Sequence, residues 1–134
     1  STKELFSECK IVLFSVPGAF TPTCSAKHLP GYINLYNKIK EKGVDKIVCL
    51  SVNDPHVMKA WEEQNNLIEK IKFISDSDCS FSKKLGLDFN YGAVLGHRSL
   101  RFSMVTNNCV VENLFIDEVG KFEVSSAENI INHL

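Results

Sequence analysis

Residues 11–24 read IVLFSVPGAFTPTC, and the order of residue types there decides the fold. Ile11–Ser15 is a short apolar run, the pattern of a buried strand. Pro17-Gly18 punctuates it. Thr21 is a good helix N-cap, and Pro22 suits the first helical position, where a missing N–H costs nothing. The chain then runs CSAKHLPGYINLYNKIKEK to a terminating Gly43, and Pro30-Gly31 inside this helix predicts a kink. A buried strand that passes into a long helix opens a β-α-β unit.

The remaining segments extend that unit. Ile47–Val52 (IVCLSV) is a second buried strand. Asp54 caps the next helix, with Pro55 at its first position and Met58, Trp61 and Ile68 on its inner face. Lys72–Ser75 is a third strand, and Asp78 caps a short helix that ends at Gly86. Gly86–Ser99 has no clear periodicity and reads as a functional loop or an irregular connection. Beyond it Arg101–Thr106 alternates, Asn107-Asn108 signals a hairpin turn, and Val110–Ile116 returns. Ser125 and Glu128 form a capping box ahead of an apolar stripe at Ala127, Ile130, Ile131 and Leu134. The order β-α-β-α-β-α, β-hairpin, α predicts an α/β protein with the thioredoxin-like fold, a central mixed β-sheet flanked by helices.

Composition bounds the function. The 134 residues are 44% hydrophobic and 23% charged, ordinary for one globular domain. Lys+Arg is 15 and Asp+Glu 16, a net charge of −1, so no basic excess suits a nucleic-acid backbone. No apolar run approaches the roughly 20 residues of a membrane helix. The chain opens at Ser1, which is compatible with removal of an upstream segment. Five scattered cysteines, with no C-x-x-C, disfavour a dithiol oxidoreductase or a zinc ribbon and read as reduced thiols in a reducing compartment. No metal or other cofactor is expected.

Chemistry concentrates at Cys24. Counted from Thr21, it falls in the first helical turn, beside unpaired N–H groups and the positive end of the helix dipole. That position favours the thiolate, but the dipole supplies only about 0.3–1 kcal/mol, so a nearby cation is expected. Arginine is scarce: the two are Arg98 and Arg101, against thirteen lysines. An arginine in so Lys-biased a chain suits an anion that needs a fixed fork of donors. His28 lies four residues after Cys24 and is read as a packed or capping histidine. A Cys24–His28 acyl-transfer dyad is a competing reading, and half a metal site is a weaker one. Among the other cysteines, Cys49 is read as buried, Cys109 as exposed at the hairpin turn, and Cys79 as a thiol disfavoured by Asp76 and Asp78. Trp61 and the phenylalanines are read as core.

VPGAFTPTCS followed by KHLPGY resembles the active-site segment of peroxiredoxins, in particular the peroxiredoxin-5 subfamily that includes the plant type II enzymes. Pro17, Thr21 and Cys24 meet the family pattern P-x3-T-x2-C, and CLSVND (Cys49–Asp54) and RFSMV (Arg101–Val105) resemble further subfamily segments in the right order. The resemblance implies a thiol peroxidase that reduces hydrogen peroxide and organic hydroperoxides. In it Cys24 attacks the terminal peroxide oxygen, and Thr21 hydrogen-bonds the sulfur and the peroxide. Arg101 stabilises the thiolate and the leaving oxygen, and Pro17 shields the sulfur from water. Arg98 matches an outer basic position, and His28 a family histidine that transfers no proton.

Relatives start about one β-hairpin earlier, so the family's N-terminal hairpin is expected to be absent from this single domain, residues 1–134. Some animal relatives carry a resolving cysteine where this chain reads Val124-Ser125-Ser126. The chain therefore resembles the one-cysteine members, whose sulfenic acid passes to an external thiol: glutathione with glutaredoxin, or thioredoxin. A homodimer is implied, in the cytoplasm or an organelle such as a plastid or mitochondrion. The Lys- and Asn-rich, Arg-poor composition is similar to that of the antioxidant proteins of malaria parasites. The alternative of another class is a thioredoxin-like redox-sensing or binding module that does not turn over.

Overall fold

The computed structural model describes residues 2–65 and 70–134. Ile68, expected on the inner face of the second long helix, lies outside them. A five-stranded mixed sheet has the order β3-β2-β1-β6-β7. Its strands are β1 (Lys10–Ser15), β2 (Lys46–Ser51), β3 (Ile71–Ser75), β6 (Phe102–Asn107) and β7 (Val110–Ile116). β1 runs parallel to β2, β2 parallel to β3, and β1 antiparallel to β6. A separate two-stranded ribbon pairs β4 (Asp88–Asn90) with β5 (His97–Ser99), inside the stretch expected to be irregular.

Burial of β1 on both faces explains its unbroken apolar run. Val12 and Phe14 join one core cluster with Ile47 and Cys49, while Ile11 and Leu13 join the other with Val48 and Leu50. Period-two alternation thus feeds two cores, one on each face of the sheet. The helices are α1 (Thr2–Phe6), α2 (Leu29–Asn34), α3 (Tyr36–Glu41), α4 (Pro55–Gln64), α5 (Ser80–Lys84) and α6 (Ala127–Ile131). Asp54 caps α4 as expected, its carboxylate accepting from the Val57 N–H at 2.9 Å.

Several local expectations need correction. The short helix before Gly86 has Cys79, not Asp78, at its N-cap, in a left-handed conformation with φ 61°. The Asp78 carboxylate still accepts the first N–H of this helix, that of Ser80, at 3.0 Å, and Asp76 accepts the next two, from Phe81 and Ser82, at 3.0 and 2.9 Å. The Ser125–Glu128 capping box is not used: Ser126 is the N-cap of α6, its hydroxyl accepting from the Asn129 N–H at 3.1 Å. The hairpin turn lies one residue later, at Asn108-Cys109, both with positive φ, the mark of a type I′ turn. The first long helix breaks at Leu35, and Phe20 and Phe89 are exposed, not core. β7 is an edge strand whose Val110, Val111, Leu114 and Ile116 stay exposed. Among the described residues no helix is long and apolar enough to cross a membrane.

Candidate active site

β1 ends at Ser15, and the loop that follows is held from several sides. The Val16 N–H donates to the Leu50 carbonyl at 3.0 Å. Asn53, just past β2, accepts the Ala19 N–H at 2.7 Å and the Ser51 hydroxyl at 2.6 Å on one amide oxygen. Arg98 donates Nη1 to the Pro17 carbonyl at 3.1 Å and Nε to the Leu95 carbonyl at 2.8 Å. A Cβ at Gly18 would sit 3.0 Å from both Arg98 Nη1 and Thr21 Cγ2, so glycine lets the loop close on Arg98. Phe20 adopts φ 62°, uncommon for an aromatic residue, and marks a loop constrained by its surroundings.

Helical backbone begins at Pro22, and Cys24 falls in the first turn. That turn opens with one α-type bond, the Ser25 N–H to the Thr21 carbonyl at 2.9 Å, and then widens. Residues Cys24–His28 form a π-helical turn in which the Leu29 N–H donates to the Cys24 carbonyl. Pro30 has no N–H for the Ala26 carbonyl and its ring would crowd an α-turn, so the wider turn absorbs the proline just ahead of it. The irregularity expected at Pro30-Gly31 is thus displaced onto the cysteine itself.

Cys24 is fully buried, and Arg101, immediately before β6, donates Nη2 to its sulfur at 3.1 Å. The other amine of the fork, Nη1, lies 2.8 Å from His28 Nδ1. A guanidinium can only donate, so Nδ1 is the acceptor and the ring proton sits on Nε2. Nε2–H then donates to the Ser125 carbonyl at 3.0 Å. Burial first, and the Arg101 charge second, lower the His28 pKa from 6.5 to about 3, which keeps the ring neutral. Phe14 and Phe122 pack on the ring, each at 5.0 Å between centroids. Both ring nitrogens are thus engaged away from Cys24, so the acyl-transfer reading has no base.

Pro17, Thr21 and Arg101 line one cavity of about 400 Å³. Tyr91 and Leu95, from the β4–β5 ribbon, and Phe122, from the segment after β7, complete its walls. The cluster expected from sequence is therefore brought together, with one difference. Arg101 donates to the Cys24 sulfur. The Thr21 hydroxyl instead donates to the Gly18 carbonyl at 2.6 Å. Arg98 braces the loop and does not touch the sulfur. Sequence reasoning missed Asn53, Asp117 and Ser125, for which the only local signals were polar residues next to strand or helix ends.

All five cysteines are free thiols. Cys49 is buried in β2, and burial, then the nearby Cys24, push its pKa well up. Cys79 is buried, and burial followed by Asp76 and Asp88 pushes its thiol up. Cys9 donates to the Leu5 carbonyl at 3.4 Å, and Cys109 is exposed at the hairpin turn.

Comparison with known proteins agrees with this geometry. The family model described as Redoxin matches residues 1–131. Peroxiredoxin-2C of Oryza sativa is 47% identical over 126 residues, covering 93% of this chain and 78% of that protein. The structure of reduced Prx3 from Vibrio vulnificus superposes with a TM-score of 0.96 at 50% identity, covering 98% of this chain and 84% of that one. The Plasmodium falciparum antioxidant protein, a 1-Cys peroxiredoxin, superposes with a TM-score of 0.91 at 35% identity, covering 98% and 81%. Likeness at this level, over nearly the whole fold and through the loop that carries Cys24, assigns the chain: it belongs to the peroxiredoxins, of the type II and peroxiredoxin-5-like kind, and is a peroxidase of the oxidoreductase class.

Proposed function

We propose that residues 1–134 form one peroxiredoxin domain in which Cys24 is the residue oxidised by peroxide. The observation that carries this reading is the 3.1 Å hydrogen bond from Arg101 Nη2 to the Cys24 sulfur in a buried site. A guanidinium so placed stabilises the thiolate in the ground state and the developing charge on the peroxide oxygens in the transition state. The thiolate attacks the terminal oxygen of ROOH, the O–O bond breaks, and ROH leaves with one proton taken up. Cys24 is left as the sulfenic acid. Pro17 and Thr21 wall the approach, and the Thr21 hydroxyl, whose proton is directed to Gly18, keeps its lone pairs free to accept the proton of an entering hydroperoxide.

The second half of the cycle uses an external thiol. It attacks the sulfenic acid, releases water and forms a mixed disulfide that a further thiol reduces. Glutathione with glutaredoxin is the proposed reductant, and thioredoxin the competing one. Support comes from the positions of the other cysteines: Cys49 and Cys79 are buried, and Cys109 is at a distant hairpin tip. At the Val124-Ser125 position Ser125 is buried. An intracellular reducing compartment suits five free thiols.

Stopped-flow oxidation by hydrogen peroxide and by an organic hydroperoxide tests the first step. Turnover with each reductant tests the second. Replacing Cys9, Cys49, Cys79 or Cys109 singly by serine is expected to leave turnover with glutathione and glutaredoxin within a few-fold of the parent. Abolished turnover with a fast first oxidation, in any one of them, would establish a resolving cysteine instead. The proposed homodimer, formed through loops bordering the cavity, is checked by sedimentation in both redox states. A monomer at high concentration in both removes it.

A further inference from the structure

The Arg101 guanidinium is one member of a closed ring of hydrogen bonds. Its Nη1 donates to His28 Nδ1 at 2.8 Å, and His28 Nε2 donates to the Ser125 carbonyl at 3.0 Å. The Ser125 N–H donates to Asp117 Oδ2 at 3.3 Å, and the Ser125 hydroxyl donates to the same oxygen. The Asp117 N–H in turn donates to the Arg101 backbone carbonyl at 3.0 Å. The other carboxylate oxygen of Asp117 accepts from the Glu123 and Val124 N–H groups at 3.0 and 2.7 Å. Asp117 therefore touches Arg101 through its backbone and reaches the far end of the same side chain through Ser125 and His28. The one guanidinium amine this ring leaves over, Nη2, points at Cys24.

We propose that Asp117 is a positioning residue for the peroxidase reaction, acting through Ser125 and His28 to hold the Arg101 guanidinium against the Cys24 sulfur. This rests on the reading of Cys24 and Arg101 given above. The carboxylate is buried and takes four donors from three consecutive residues. It folds the chain after β7 back so that one carbonyl, that of Ser125, meets His28. Tyr32 donates its hydroxyl to the same carbonyl at 2.9 Å, which leaves that oxygen little freedom to shift. An Asp117→Asn substitution keeps the shape but turns one acceptor into a donor. Its amide nitrogen faces either the Ser125 N–H, which breaks the ring directly, or the Glu123 and Val124 N–H groups, which then lose the acceptor that folds this segment back onto His28. A pure charge effect has the opposite sign, because removing a carboxylate from the cavity wall favours the Cys24 thiolate.

The test uses the full chain and reads Cys24 oxidation by hydrogen peroxide in a stopped-flow instrument. Trp61, the single tryptophan, is the reporter, since its indole N–H donates at 3.2 Å to Ser25, the residue next to Cys24. D117N is expected to slow oxidation roughly tenfold or more, in line with the cost of small misplacements in a reacting geometry. In an R101A background the same substitution is expected to change the rate less than about twofold, because the group it positions is gone. An unchanged or faster rate in D117N, or an equal slowing with and without Arg101, overturns the inference. Should D117N fail to fold by circular dichroism, Ser125→Ala decides. It is expected to slow oxidation about threefold with Arg101 present and not without it, and a parent-like rate overturns the inference. Parent-like oxidation of R101A itself would instead overturn the reading of Arg101. R101A slow with D117N parent-like removes the role of Asp117 alone.

Discussion

Replacing Arg101 by alanine is expected to lower the second-order rate constant for Cys24 oxidation by hydrogen peroxide by about 10²–10³, the usual cost of removing a preorganised donor from a site where charge develops. The sulfur is fully buried and accepts a hydrogen bond from this side chain. Alanine removes the guanidinium that donates to the sulfur, so negative charge on the sulfur and on the peroxide oxygens in the transition state loses its partner. Lysine is not an adequate substitute. The fork reaches Cys24 with one amine and His28 with the other at once, and an ammonium on a flexible stem cannot hold both in plane. R101K is therefore expected to fall between R101A and the parent. Stopped-flow traces at several peroxide concentrations give the rate constants directly. A loss smaller than about fivefold in R101A would mean that the 3.1 Å contact does not carry the chemistry.

The parts of this site that were legible in the sequence are the local ones. The apolar run of β1, the Pro-Gly punctuation after it and the Thr-Pro helix start act over a few residues, so their order alone placed Cys24 in a first helical turn. The scarcity of arginine singles out Arg98 and Arg101 alike, and only the family resemblance separates them; no local pattern can show that residues 24 and 101 meet, since β1 and β6 pair only through the sheet. His28 was visible by its spacing, yet its role depends on which groups face its two nitrogens, and these come from residues 101 and 125. The π-helical turn had one sequence signal, Pro30, which pointed to a distortion a few residues too late. Asp78 accepts the Ser80 N–H at the start of α5, but Asp76 shares the capping because its place after β3 aims it at the N–H groups of Phe81 and Ser82, a long-range fact no local pattern shows. Val110–Ile116 is a strand as expected, but only Phe115 packs against the core, while Val110, Val111, Leu114 and Ile116 lie outside on the sheet's edge strand, a fact of strand order that alternation does not show.

Mild acid is expected to destabilise the fold through His28, and the sign follows from the site. In the native state burial and the neighbouring guanidinium lower the His28 pKa from 6.5 to about 3, while in the unfolded chain the ring takes up a proton near 6.5. Between those values the unfolded state binds one proton more, so stability falls as pH falls, by about 1.4 kcal/mol per unit. The contribution of the neutral ring is fully present above 6.5 and is lost progressively toward 3. From about pH 7 to about pH 5 the loss is about 2 kcal/mol, large against a net stability of roughly 5–15 kcal/mol. It is read as a shift in the urea midpoint at constant slope. Titrating groups far from residue 28 contribute equally to the parent and to His28→Asn, which keeps a hydrogen-bond acceptor near Arg101 but cannot be protonated. H28N is expected to be less stable than the parent at pH 7, because it gives up the bond to Ser125 and the packing against Phe14 and Phe122. Its stability should nevertheless change by about 2 kcal/mol less between the two pH values, so that the two proteins converge on acidification. Parallel pH dependences would show that His28 is protonated in the folded state, and a protonated ring cannot accept the Arg101 hydrogen bond that the site is built on.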